Sequence, residues 1–218
     1  GTGKGTNVQG FGYDAIIKNL INTYFKDNQA DLNKVYLQAK VNLTYNRYKS
    51  LLNGLVARGV DPEKQLDYAE KFYALIMSDN SVLPENQQAA DAQAASSTIA
   101  LLYVLSAQSQ VKKMRLGQDT KPMREKAITY YKKAASYYRS AGDSSNAQNC
   151  TVLFTNLTQA AVLFDQAETA KKSNDLKTAI DLYTQAQAAF QNSGDIIDAS
   201  TTSLKLLDVE AQYYLDQA

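Results

Sequence analysis

An all-α fold, built of antiparallel helix hairpins stacked into a solenoid of about eight helices, is what this sequence predicts, and three observations predict it. Breakers are scarce: the 218 residues hold 3 Pro and 10 Gly, and several of the Gly fall in the first dozen positions, which leaves the remainder free to form long helices. Apolar residues recur at three- and four-residue spacings through most of the chain. Two stretches about fifty residues apart align without a gap, the mark of a repeat architecture.

The elements follow in order. Residues Gly1 to Gly12 read Gly-Thr-Gly-Lys-Gly-Thr-Asn-Val-Gln-Gly-Phe-Gly, a composition that cannot hold a helix. They form a Gly-rich N-terminal arm, residues 1–12, set apart from a single helical-repeat domain over residues 13–218. Such an arm is mobile unless something holds it. Its glycines suit close packing against another backbone, of its own domain or of a neighbouring copy, and Gly1, Thr2, Gly3, Lys4, Gly5, Thr6 and Phe11 are its candidate interface residues. A start at Gly1 without Met suggests a processed or trimmed chain.

Eight helices are expected after the arm, over Tyr13–Asp27, Ala30–Arg58, Pro62–Ser78, Pro84–Leu116, Pro122–Ser140, Ser144–Ser173, Leu176–Asn192 and Ile197–Gln217. Pro62, Pro84 and Pro122 each sit at a first helical position, where a missing N–H costs nothing. Gly59, Gly117, Gly142 and Gly194 fall where the chain must reverse, and Asp143, Ser144 and Asp195 can act as N-caps. In the second helix Leu37, Val41, Tyr48, Leu51 and Leu55 make one stripe, with Asn42 on roughly the opposite side. The sixth has Cys150, Leu153, Leu157, Ala160 and Phe164 on one face, and Val152, Val162 and Leu163 off it. A helix apolar on more than one side is buried between neighbours, as in a stack.

The repeat pairs Ala127-Ile-Thr-Tyr-Tyr-Lys-Lys-Ala-Ala-Ser-Tyr-Tyr-Arg-Ser-Ala-Gly-Asp143 with Ala179-Ile-Asp-Leu-Tyr-Thr-Gln-Ala-Gln-Ala-Ala-Phe-Gln-Asn-Ser-Gly-Asp195. Both contain Ala-x-x-x-Tyr-x-x-Ala-x-x-x-aromatic and then Gly-Asp; a weaker echo is Ala69-Glu-Lys-Phe-Tyr73. Small Ala residues let a neighbouring helix approach, and the rings fill the gap beside them. Ala134 and Ala186, at matched positions, are therefore expected at helix–helix contacts. Over Leu163–Asp195, and in part over Lys126–Asp143, the chain resembles the tetratricopeptide repeat family, whose second helix has this Ala-aromatic-Ala pattern. Leu163, Ala167 and Ala170 are similar to that family's first helix, although the first helices here run about ten residues longer than the roughly 34-residue unit allows. The resemblance implies protein–protein binding and supplies no catalytic residues.

Composition excludes several function classes. Lys and Arg total 23 against 22 Asp and Glu, so the concentrated basic excess of a nucleic-acid binder is missing. No apolar run is long enough to span a bilayer. There is no His, the commonest general base and metal ligand, and carboxylates such as Glu168, Asp175 and Asp181 cluster only on helix faces and caps. Neither an enzyme, nor a metal, nor a cofactor is expected. Gly3-Lys4-Gly5-Thr6 lacks the spacing and the preceding strand of a phosphate loop. The lone Cys150 is either a small core residue or a reactive thiol.

Two surface features remain. Sequons at Asn42, Asn149 and Asn156 are about as many as chance supplies; Asn42 sits on a polar face that could carry a sugar, while Asn149 and Asn156 border an apolar one. In the pairs Tyr130-Tyr131, Tyr137-Tyr138 and Tyr213-Tyr214, one ring can pack inward while its neighbour lies about 100° round the helix. Tyr130, Tyr137, Tyr213 and Tyr214 are candidate interface anchors, against the plainer reading of core and ordinary surface. The expected function is that of a secreted structural subunit that assembles with copies of itself into an extracellular filament or surface layer. The uncharged polar surface and the uncapped ends of a solenoid motivate it. The alternative is a monomeric adaptor, cytoplasmic in setting, that binds a peptide or protein in its groove.

Overall fold

The computed structural model describes residues 15–79 and 85–217, so the arm, with Gly1 to Thr6 and Phe11, and Pro84 lie outside the described residues. Among those described the chain is all-helical, with no strand. Eight α-helices follow one another: α1 (15–24), then a 3-10 turn at Lys26–Asn28, α2 (Gln29–Ala57), α3 (Pro62–Asp79), α4 (Glu85–Lys113), α5 (Lys121–Ser140), α6 (Ser144–Lys172), α7 (Leu176–Asn192) and α8 (Ile196–Gln217). From α2 onward each helix packs against the next in the chain, so chain order is packing order.

The junctions are built as the sequence reading expects. Gly142 and Gly194 take φ of 75° and 78°, the left-handed region that closes a helix without a Cβ penalty. The third tight turn uses Asn174, with φ 61°, a residue type that tolerates this region through local hydrogen bonding. Asp143, Asp175 and Asp195 then open the next helices: their carboxylates accept the backbone N–H of Asn146, Thr178 and Asp198 at 3.0, 3.2 and 3.0 Å. Ser144 is the first helical residue after its cap, not the cap itself. Two boundaries differ more: α1 ends at residue 24, short of Asp27. α4 stops at Lys113, short of Leu116, because Met114 turns fully into the core and its N–H bonds the Val111 carbonyl in a three-residue turn.

Alanine and large rings fill the core in alternation. Ala134 and Ala186 are fully buried, as the matched repeat positions require. Ala160, Ala186 and Ala199 bring α6, α7 and α8 together around Phe190. Phe164 meets Tyr183 and Phe190 edge-on, with ring centroids 5.7 and 6.5 Å apart. Burying a ring such as Phe190 contributes roughly 1.5–3 kcal/mol, and the small residues around it decide how closely the helices can approach. Cys150 is a core residue: it is buried, and that burial raises its thiol pKa, the opposite of what a reactive thiolate needs. No described helix is long and apolar enough to cross a membrane.

Candidate functional site

The last helix has two apolar faces. Ala199, Thr202, Leu206 and Val209 turn inward on α7 and the neighbouring core. On the opposite side Ser200, Leu204, Leu207, Ala211 and Tyr214 follow one another at four- and three-residue steps, with Ile196 and Leu215 beside them. These residues fall within an arc of about 100°. Leu204, Leu207 and Tyr214 are 64%, 59% and 70% exposed, and Ile196 and Leu215 are exposed with them. No charge lies within the stripe. A soluble helix with a solvated outer face carries polar residues there; this one carries the pattern of a helix meant to be covered. Beside it, between α7 and α8, runs a cleft of about 360 Å³ lined by Gln187, Gln191, Ile196, Ala199, Ser200, Ser203 and Leu204, with Leu116 at its edge. Amides, hydroxyls and aliphatic groups line it without one ionised side chain.

A polar network anchors the start of this helix. Asp198 is buried and accepts from the Thr120 hydroxyl at 2.6 Å and the Arg124 guanidinium at 2.5 Å, so α8 is tied to the start of α5. Arg124 also stacks over the Phe190 ring, 5.5 Å from its centroid. Asp195 is wholly buried beside this pair. Its Oδ1 caps α8, and its Oδ2 meets no donor. Burial lifts the Asp195 carboxyl well above the usual carboxylate range, and the Asp198 charge adds to the lift; the Asp198 N–H and the Arg124 charge oppose it. A cleft of about 300 Å³ opens next to the network, between residues 117–121, Phe164 and Thr201. Each charged member facing it from the network is already paired, so its chemistry is that of a structural clamp. The carboxylate pair was missed in the sequence: Asp195 read only as an N-cap, and nothing in the spacing set Asp198 apart.

Two further clusters have the same chemistry. In one, the Tyr103 hydroxyl of α4 donates to Glu70 of α3, and Lys133 of α5 lies 3.6 Å from Glu70 and 3.1 Å from the Tyr103 hydroxyl. In the other, the Tyr183 hydroxyl of α7 donates to Glu168 of α6 at 2.5 Å, and Lys205 of α8 reaches Glu168 at 2.6 Å. Each joins three successive helices through tyrosine, glutamate and lysine. Both tyrosines are pushed up in pKa, first by burial and then by the carboxylate they bond. Burial pushes Glu168 up, but hydrogen bonds from Lys205 and Tyr183 and the charges of Lys205 and Lys171 outweigh it and hold the carboxyl below its usual range.

The residues singled out as interface anchors divide. Tyr131 and Tyr138 are buried, so each of those pairs does send one ring inward; burial pushes Tyr131 up to about 12. Tyr130 and Tyr137 are half-buried against the first clasp, Tyr137 stacked on Tyr103 at 5.7 Å and edge-on to Tyr73 at 5.1 Å. Tyr213 packs on the core below α8, and Tyr214 alone of the four stands on the exposed stripe. Of the sequons, Asn149 is exposed and Asn156 half-buried, both in mid-helix. Asn42 accepts a hydrogen bond from Gln87 of α4 at 2.9 Å through its Oδ1, which is not the amide nitrogen that a sugar would join. Among the described residues no group of three His, Cys, Asp or Glu is placed to hold a metal. No family model, curated protein or solved structure matches the chain.

Proposed function

We propose that this chain is a non-enzymatic assembly subunit, a tetratricopeptide-like stack of helix pairs that associates with further copies of itself through the outer face of α8. One observation carries the reading: Leu204, Leu207 and Tyr214 form an exposed, uncharged seam on the face opposite the buried one. In a stack of helices such a face is what the next layer covers. The internal repeat and the small-residue contacts at Ala134 and Ala186 support the stacked architecture. An extracellular setting belongs to the same proposal, and the uncharged polar composition is its support.

The test is a mass measurement against concentration by analytical ultracentrifugation, on the wild type and on Leu204→Glu/Leu207→Glu. Both leucines are mostly exposed, so the double variant keeps its helix content and melting temperature while it loses association. A wild type that stays monomeric up to the highest concentration tried defeats self-association and leaves the adaptor reading in its place.

A further inference from the structure

The two ends of the helix series are unlike, and they are complementary. Outside the buried clamp that holds Asp198, α8 carries the carboxylates Asp208, Glu210 and Asp216 against the single cation Lys205, and Asp208 lies 2.6 Å from Lys171 of α6. α2 carries Lys34, Lys40, Arg47 and Lys49 against the single carboxylate Asp31. α2 also shows an exposed stripe: Val35, Ala39, Leu43, Asn46 and Ser50 recur at four- and three-residue steps, with Val35 59% and Leu43 71% exposed. The same periodicity runs through Ser200, Leu204, Leu207, Ala211 and Tyr214 on α8. Each helix therefore offers a narrow seam at the spacing that lets two helices lie side by side at a shallow angle. On α8 the seam runs between Asp208 on one edge and Glu210 on the other; on α2 Lys40 and Arg47 follow one edge, Asp31 precedes the other, and Lys34 lies farther round the helix.

We infer that the occupant of the α8 outer face is α2 of a second copy, joined head to tail. The inference rests on the reading of α8 as the association surface and adds to it the partner and the symmetry. Charge decides between the two ways a copy can cover α8. An α8–α8 contact across a twofold axis sets Glu210 against its own image, and like charges in juxtaposition disfavour it, whereas Asp208 brings Lys171 with it. An α2–α8 contact sets the cationic helix against the anionic one. Because chain order is packing order, α2 and α8 are remote from each other in one molecule, so the contact does not close on itself. Repetition of such a contact builds an open series of copies.

The experiment mixes two blocked variants. Leu204→Glu/Leu207→Glu has a blocked α8 and an intact α2; Leu43→Glu has a blocked α2 and an intact α8. All three sites are exposed, and circular dichroism checks that each variant keeps its helices. Head-to-tail joining predicts that either variant alone is monomeric where the wild type associates, and that the mixture forms a 1:1 pair and nothing larger. It also predicts that raising salt from low to high weakens the wild-type contact by about tenfold, since both rims are solvent-exposed. If Leu43→Glu alone forms dimers, α8 meets α8: the head-to-tail inference is overturned while the α8 surface stands. If Leu204→Glu/Leu207→Glu alone still associates, the α8 surface itself is wrong and both readings fall. A wild type monomeric at every concentration has the same consequence.

Discussion

The clasp that joins α3, α4 and α5 and the clasp that joins α6, α7 and α8 use the same three residue types, yet they are not the same device. In both, the middle helix supplies a buried tyrosine, the preceding helix a glutamate and the following helix a lysine. Around Tyr103 the setting is aromatic and open to water: Tyr73, Tyr130 and Tyr137 crowd the ring, and the side chains of Glu70 and Lys133 are about half exposed. Around Tyr183 the carboxylate is drawn in, its lysine is a full angstrom closer, and its pKa is held down. Water can replace the partners of Glu70; it has far less room to replace those of Glu168. The second clasp is therefore expected to hold α8 in place, and with it the exposed seam, while the first holds α5 mainly through ring packing.

The largest effects should come from the two buried alanines at matched repeat positions. Replacing Ala134 or Ala186 with Leu forces a branched side chain into a contact with no exposed surface and destabilises the fold by roughly 1–3 kcal/mol in each case. Denaturant midpoints compare them. Equal losses support the repeat alignment across both halves; an unchanged Ala186→Leu protein counts against it.

Asp195 comes next, since it opens the helix that the second clasp holds. The folded state binds the Asp195 proton more tightly than the unfolded chain, because burial raises its pKa to about 7. Stability from this group is complete below about pH 4, the ordinary aspartate value, and is lost as pH rises through the folded value. Asp195→Asn keeps an oxygen to cap the Asp198 N–H and cannot ionise. It should escape a loss of up to about 3 kcal/mol that the wild type suffers between about pH 4.5 and 7.5, since each tenfold change in proton affinity is worth about 1.4 kcal/mol. Parallel stability curves for the two proteins across that range defeat the assignment.

The tyrosine hydroxyls separate the clasps more finely. Tyr183→Phe removes a donor from a carboxylate that is largely screened from water, which costs about 1–2 kcal/mol. Tyr103→Phe leaves Glu70 able to find water and should cost less than about 1 kcal/mol. A larger loss at Tyr103 than at Tyr183 reverses the ranking and with it the reading of the two environments.

Much of the architecture was legible in the chain. Gly59, Gly117, Gly142 and Gly194 mark reversals because the left-handed backbone is cheap only for glycine, and all four adopt it. Ala134 and Ala186 were legible because the repeat sets small residues and rings at constant offset. The clasps were not. Tyr103 and Tyr183, Glu70 and Glu168, and Lys133 and Lys205 stand at three different sequence separations, so no offset reveals them; only the packing brings each trio together. The seam on α8 is half legible: Leu204, Leu207, Val209 and Tyr213 spread round more than one side of the helix, but which side faces outward depends on where α7 lies.

The smallest effects concern the lysines, and they test the comparison most directly. Lys133 touches a half-exposed carboxylate at 3.6 Å and lies 5.0 Å from the centroid of the Tyr103 ring, so Lys133→Met gives up a screened pair and keeps its aliphatic cover of the ring. Its stability should change by less than about 0.5 kcal/mol at any pH. Lys205 holds Glu168 at 2.6 Å and covers Phe164, and it is one of the causes that keep Glu168 low. A carboxyl whose folded pKa is depressed contributes stability above its unfolded value of about 4.3 and loses it as pH falls through the folded value. Lys205→Met removes that contribution, so the variant should be less stable than the wild type by up to about 1 kcal/mol at pH 7, and the gap should close as acid protonates Glu168 in both proteins. Thermal melts at pH 7 and through an acid series decide it. A gap that persists in acid assigns the role of Lys205 to its aliphatic packing on Phe164, and the second clasp then becomes a ring contact like the first.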